Sequence, residues 1–192
     1  MVNEANAPNE PQRWLLLIYR VPQQPPGRRT AVWRQLKQLG AIYLQQAAGI
    51  LPDRPQESEA LAALAERILG FEGEVSLLRT VSPSASWEAD IVCRFNDARA
   101  AEFGEFVENV ERFEDELRRE SRKGKFTFAE LEENEADYER LERWFTRILD
   151  RDFFGSPLRE EAKEALIGGR RTLEVFASQV YAHEDVQEES PK

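Results

Sequence analysis

"RWLLLIYRVPQQPPGRRTAVWRQLKQLG", Arg13 to Gly40, is the stretch from which the fold is read. Trp14 to Val21 is a nearly continuous apolar run with aromatic and β-branched members, which predicts a central strand buried on both faces. Pro22, Pro25, Pro26 and Gly27 end it. Thr30 can then cap a helix whose Val32, Trp33, Leu36 and Leu39 share one face, with Gly40 as its stop. Working outward, "AIYLQQ" alternates Ile42 and Leu44 against Tyr43 and Gln45, and "AAGILPD" follows after a tight turn, giving two more strands. Gln56 to Leu69 reads as a second amphipathic helix through Leu61, Leu64, Ala65 and Ile68, and "GEVSLLRTVS" as a fourth strand. The order β-α-β-β-α-β is that of a ferredoxin-like α+β domain, a four-stranded sheet with two helices on one face.

Near residue 87 the apolar rhythm changes. Phe103, Phe106, Val110, Phe113 and Leu117 step by 3, 4, 3 and 4, a heptad seam. Tyr138, Leu141, Phe145 and Ile148 repeat it, as do Leu173, Phe176 and Val180. "DIVCRFND" suits either a strand or the first turns of this region, and the helical reading is preferred. Breaks fall at "SRKGKF" and at "FFGSPL", where Ser156 and Pro157 form a cap and a first helical residue. Three helices of roughly 25 residues are expected, packed as a long-helix hairpin or bundle without strands. The expected organisation is a disordered tail over 1–12, a ferredoxin-like domain over 13–86, a helical region over 87–184 and a disordered tail over 185–192.

The chain has 192 residues, of which 41% are hydrophobic, with four Trp and eleven Phe, enough to bury a real core. Its formal net charge is −10, which on average disfavours nonspecific nucleic-acid binding. The average conceals a segregation. Residues 1–54 carry seven Lys/Arg against three acids, a balance of +4, so the remainder carries −14. A single cysteine, Cys93, permits no intrachain disulfide, and the single His183 follows an amphipathic segment in an acidic tail. Together they exclude most metalloenzyme and Cys/His nucleophile designs, so no cofactor and no metal are expected. "WLLLIY" is far too short to span a bilayer, and the polar start "MVNEANAPNEPQ" is unlike a signal peptide. A cytoplasmic protein with no membrane partner is the expectation.

The leading candidate site is the basic cluster around the first strand and helix: Arg20 at the strand's carboxyl end, Arg28 and Arg29 ahead of the cap, Arg34 and Lys37 on the polar face, Gln45 and Gln46 on strand two. Guanidinium forks at a helix start bind oxyanions or phosphates, helped by unpaired backbone N–H groups. The competing explanation is that these arginines pair with the acidic part of the same molecule. A second basic stripe, Arg140, Trp144, Arg147 and Arg151, is spaced by 4, 3 and 4. Such stripes engage nucleic acid, although half-core packing with interhelical ion pairing is their commoner use. Glu130, Glu132, Glu133 and Glu135 read as a solvated face. "IGGRR", Ile167 to Arg171, matches no nucleotide fingerprint, and nothing in the chain reads as catalytic.

These residues carry a resemblance. "RWLLLIYRVPQQPPGRRTAVWRQLKQLGAIYLQQAAGILP" resembles the start of the N-terminal domain of the bacterial chromate-resistance regulators of the ChrB family. "FAELEENEADYERLERWFTRILDRDFFG" is similar to that domain's acidic helix and Trp-containing "RD.F" segment. The resemblance runs from Arg13 to about Tyr181. It implies a transcriptional regulator that binds promoter DNA and responds to chromate or another oxyanion, with a homodimer as a further possible assembly. Family members carry an additional C-terminal domain that this sequence does not include. A noncatalytic dimerisation or adaptor module is one alternative. Another is a residual phosphodiesterase, because the β-α-β-β-α-β half also resembles the small CRISPR-associated ribonucleases and the middle domain of PaaX-type repressors. In the nuclease an aspartate ends strand one and binds metal, whereas this chain has Arg20, which repels a divalent cation.

Overall fold

A computed structural model describes residues 11–24 and 26–188, with side chains through His183. The elements are β1 (Arg13–Arg20), α1 (Arg28–Gln38), β2 (Ile42–Gln45), β3 (Ala48–Pro52), α2 (Pro55–Gly70), β4 (Glu74–Val81), α3 (Ala85–Lys123), α4 (Phe128–Leu149) and α5 (Arg159–Glu188). Most of the two expected tails lies outside the described residues. Gln12 is held, its backbone N–H donating to the Glu88 carboxylate at 2.9 Å, and α5 runs past the expected start of the second tail to Glu188.

The sheet has the order β2-β3-β1-β4, with every neighbouring pair antiparallel. This is the arrangement expected from the element order. Side chains alternate across β1. Leu15 and Leu17 are buried with Leu51, and beneath them lie Val32 and Leu36 of α1 and Leu61, Leu64 and Ile68 of α2. On the other face Trp14 stacks on Phe95 of α3, centroids 5.8 Å apart. Burial on both faces therefore holds only for the first half of β1. Ile18, two residues beyond Leu16 on the Trp14 face, is 45% exposed.

Three local expectations are corrected around α1. The cap is Gly27 and not Thr30, and the helix begins at Arg28. Gly27 sits at φ +98°, a left-handed backbone that costs glycine nothing and turns the proline segment directly into the helix. Thr30 then falls inside the first turn. Trp33 does not share the buried face; it is 48% exposed. One residue beyond buried Val32 is a rotation of about 100°, which carries Trp33 past the edge of the apolar stripe. Gly40 does end the helix, at φ +82°.

The chain divides into two compact units, residues 1–95 and 96–192. No strand follows Val81 among the described residues. "DIVCRFND" is helical, which makes α3 a helix of 39 residues, longer than expected. All twelve heptad positions named above are buried in one cluster of the second unit. Phe106 meets Phe145 at 5.4 Å and Phe113 meets Tyr138 at 6.0 Å, so α3 and α4 run antiparallel. Thr172 and Gln179 of α5 bond Glu114 and Ser121, placing α5 parallel to α3. Thr127 caps α4 through a bond from the Glu130 N–H. Ser156 and Pro157 stand just ahead of α5, Arg159 N–H donating to the Ser156 carbonyl. Within "IGGRR", Gly169 lies against Val110 and Tyr138, a packing role.

Candidate functional site

The first unit contains a cleft of about 980 Å³ at the carboxyl end of β1. Its floor is the pair Tyr19 and Tyr43, whose hydroxyls are hydrogen-bonded to each other at 3.0 Å. Burial, reinforced by that bond, pushes the Tyr43 phenol well above its ordinary range, so its hydroxyl stays protonated. One wall is the first turns of α1, with Arg29, Thr30 and Trp33. The opposite wall is the β2–β3 hairpin, with Gln45, Gln46 and Ala47, and the rim includes Arg20, Val21, Pro22, Gln23, Glu72 and Gly73.

The local sequence explains why these groups converge. Tyr19 N–H donates to the Ala47 carbonyl at 3.0 Å, tying the hairpin tip to the end of the central strand. Ala47 stands at φ +58° and the pairing of β2 with β3 shifts between Tyr43 and Gln45, so the tip is irregular. Across the cleft Glu72 stands at φ +61°. It precedes Gly73, where a Cβ would meet the Arg20 carbonyl oxygen at 2.6 Å. The α2–β4 turn is thus pressed against the end of β1, and only glycine fits there.

Of the seven residues expected to form the basic site, Arg20, Arg29, Gln45 and Gln46 line this cleft, while Arg28, Arg34 and Lys37 do not. Arg20 is ion-paired with Glu74. Arg28 lies over the Phe71 ring at 5.1 Å and donates to its carbonyl at 3.0 Å, a packing role shared with Arg67 on the same ring. Arg29 makes no ion pair among the described residues, and it is exposed, as are Arg34 and Lys37. The partners given to Arg20 and Arg28 belong to their own unit. Trp33, Tyr19, Tyr43 and Glu72 were not anticipated as site residues. The available signal for Trp33 was its place at the margin of the α1 stripe.

The second stripe is largely consumed by structure. Arg140 pairs with Asp137, Trp144 meets Phe106 edge-on at 5.5 Å, and Arg151 pairs with Glu102 at 2.7 Å. Arg147 is exposed. Among the described residues no group of three or more His, Cys, Asp or Glu is placed to hold a metal ion, and no helix is long and apolar enough to cross a membrane.

Comparison with known proteins gives one family, described as "Protein ChrB, N-terminal", which matches residues 29–187. The match starts at Arg29, leaving β1, Arg20 and Arg28 outside it. Protein ChrB of Cupriavidus metallidurans is 31% identical over 101 residues, covering 52% of this chain and 31% of that protein. The chain thus covers less than a third of that relative's length. No solved structure matches.

Proposed function

The chain belongs to the family of ChrB N-terminal domains, and on that premise we propose that it is a noncatalytic transcriptional regulator of the chromate-resistance type. In this reading it contacts promoter DNA, with chromate or a related oxyanion as effector. The observation that carries it is the composition of α1, whose eleven residues hold Arg28, Arg29, Arg34 and Lys37 and no acid. In a molecule of charge −10, this helix presents exposed cations and an N-terminus that no side chain caps among the described residues, a surface suited to phosphates.

The test is a salt titration of binding to duplex DNA from a chromate-transporter promoter. Replacing Arg29 and Arg34 with alanine weakens binding and lowers the slope of log K against log salt by about 1.8, the value for two phosphate contacts. Thermal stability stays within roughly 0.5 kcal/mol, as for exposed charges generally. An unchanged slope defeats the reading. Chromate added to the complex tests the effector separately.

A second reading, a dimerisation module, draws on the outer edge of the sheet. Among the described residues β4 is paired on one side only, and Ile18 and Leu78 lie exposed on one face beside that edge.

A further inference from the structure

Phosphate contacts from α1 leave the interior of the cleft without a role. A cavity of about 980 Å³ is the size of a site for an organic molecule. A tetrahedral oxyanion would leave most of it unfilled, and it gains nothing from an indole and two phenols. The backbone also marks the place. Ala47 and Glu72 are the non-glycine residues with positive φ among those described, and both line the cleft. Strain of this kind persists only where the surrounding structure holds it, and its coincidence at one cavity points to a site held in shape.

The lining chemistry narrows the ligand. Trp33 supplies a half-exposed aromatic surface at the mouth, where a flat ring can stack. Gln45 and Gln46 each offer an amide carbonyl and an NH₂, the donor–acceptor pair that matches base edges. Glu72 adds an acceptor for ring N–H or amino groups, and Arg29 adds an exposed guanidinium, without an ion pair among the described residues, for a phosphate. We propose that the cleft is a nucleobase site: an unstacked base lies on Trp33, its edge meets Gln45, Gln46 and Glu72, and its 5′-phosphate meets Arg29. The proposal rests on the nucleic-acid reading for the source of the base, a nucleotide extruded from a bound strand. A free nucleotide has the same chemistry.

The experiment compares three labelled probes by fluorescence anisotropy: a paired duplex, the same duplex with a single-nucleotide bulge, and its single strand. Wild type binds the bulged duplex or the single strand more tightly than the paired duplex. Trp33→Ala loses that preference by about tenfold, the scale of one base–aromatic stack. Trp33→Phe keeps most of it, and binding to the paired duplex is the same in all three proteins. If the paired duplex binds and no probe with an unpaired base is preferred, or if Trp33→Ala weakens all probes equally, the base site is wrong while the DNA reading stands. If no probe binds, the DNA reading falls and free AMP and GMP decide the site by tryptophan quenching. Quenching in wild type that is absent in Trp33→Ala assigns the cleft to a free nucleotide, and no quenching overturns the proposal.

Discussion

Arg99 is 2% exposed, and one of its terminal nitrogens bonds Glu102 at 3.0 Å. Its Nε and other terminal nitrogen have no hydrogen-bond partner among the described residues. Burial pulls this guanidinium below its ordinary range and Glu102 opposes the shift. Glu102 also holds Arg151, so one carboxylate serves two cations. Removing Glu102 leaves the buried Arg99 guanidinium uncompensated, whereas removing Arg99 leaves Glu102 still paired with Arg151. Glu102→Ala therefore destabilises by about 3 kcal/mol in urea unfolding, and Arg99→Met by about 1 kcal/mol or less. Glu120 shows the opposite sign. Burial raises its carboxyl, while Asn134, donating at 2.9 Å, and Lys125 partly offset the rise. An acid with a raised folded-state value favours the folded state when protonated, and that stability is lost as pH rises through it. Glu120→Gln, which keeps an acceptor for Asn134, melts at or above wild type at pH 7. Its advantage closes as pH falls into the carboxylate range, a trend read from melts at several pH values. None of this was legible in the chain, where Arg99 and Glu120 look like any charges on a polar helix.

At the scale of elements, β4 illustrates how the same residues serve two readings. The segment "GEVSLLRTVS" read as a strand, and the register places Leu16 opposite Leu78, so Ile18 and Leu78 share a face. Nothing in the sequence said that this face would stay partly open, because what covers a sheet depends on where later helices fall. An exposed apolar edge strand is a place for a second chain to pair. If the dimer reading holds, light scattering finds a dimer in wild type and a monomer in Leu78→Lys, with the melting temperature nearly unchanged. A monomeric wild type removes that reading. Helix α1 carries the matching lesson. Val32 and Leu36 followed from the 3.6-residue period, whereas Trp33 sat one step off the stripe, where periodicity alone assigns neither core nor surface. In the structure Trp33 lines a cleft together with Gln45, Gln46 and Ala47 of the β2–β3 hairpin.

For the whole molecule, the change of rhythm near residue 87 and the sheet topology were determined by local signals: alternation, heptads, proline and glycine punctuation. These are properties of neighbours in sequence, which is why the α+β class, the order of elements along the chain and the twelve heptad core positions could be read directly. The charge segregation, +4 before residue 55 against −14 after it, was equally a property of the chain. Its meaning was not. The tertiary structure decided that Arg20 pairs with Glu74 and Arg28 rests on Phe71, while Arg29 faces a cleft with Gln45 and Gln46. It also decided that Arg140, Trp144 and Arg151 are spent on ion pairs and packing in the second unit. Pairing and burial depend on distances between residues far apart in the chain, set by the packing of whole elements, and a one-dimensional pattern carries no record of those distances.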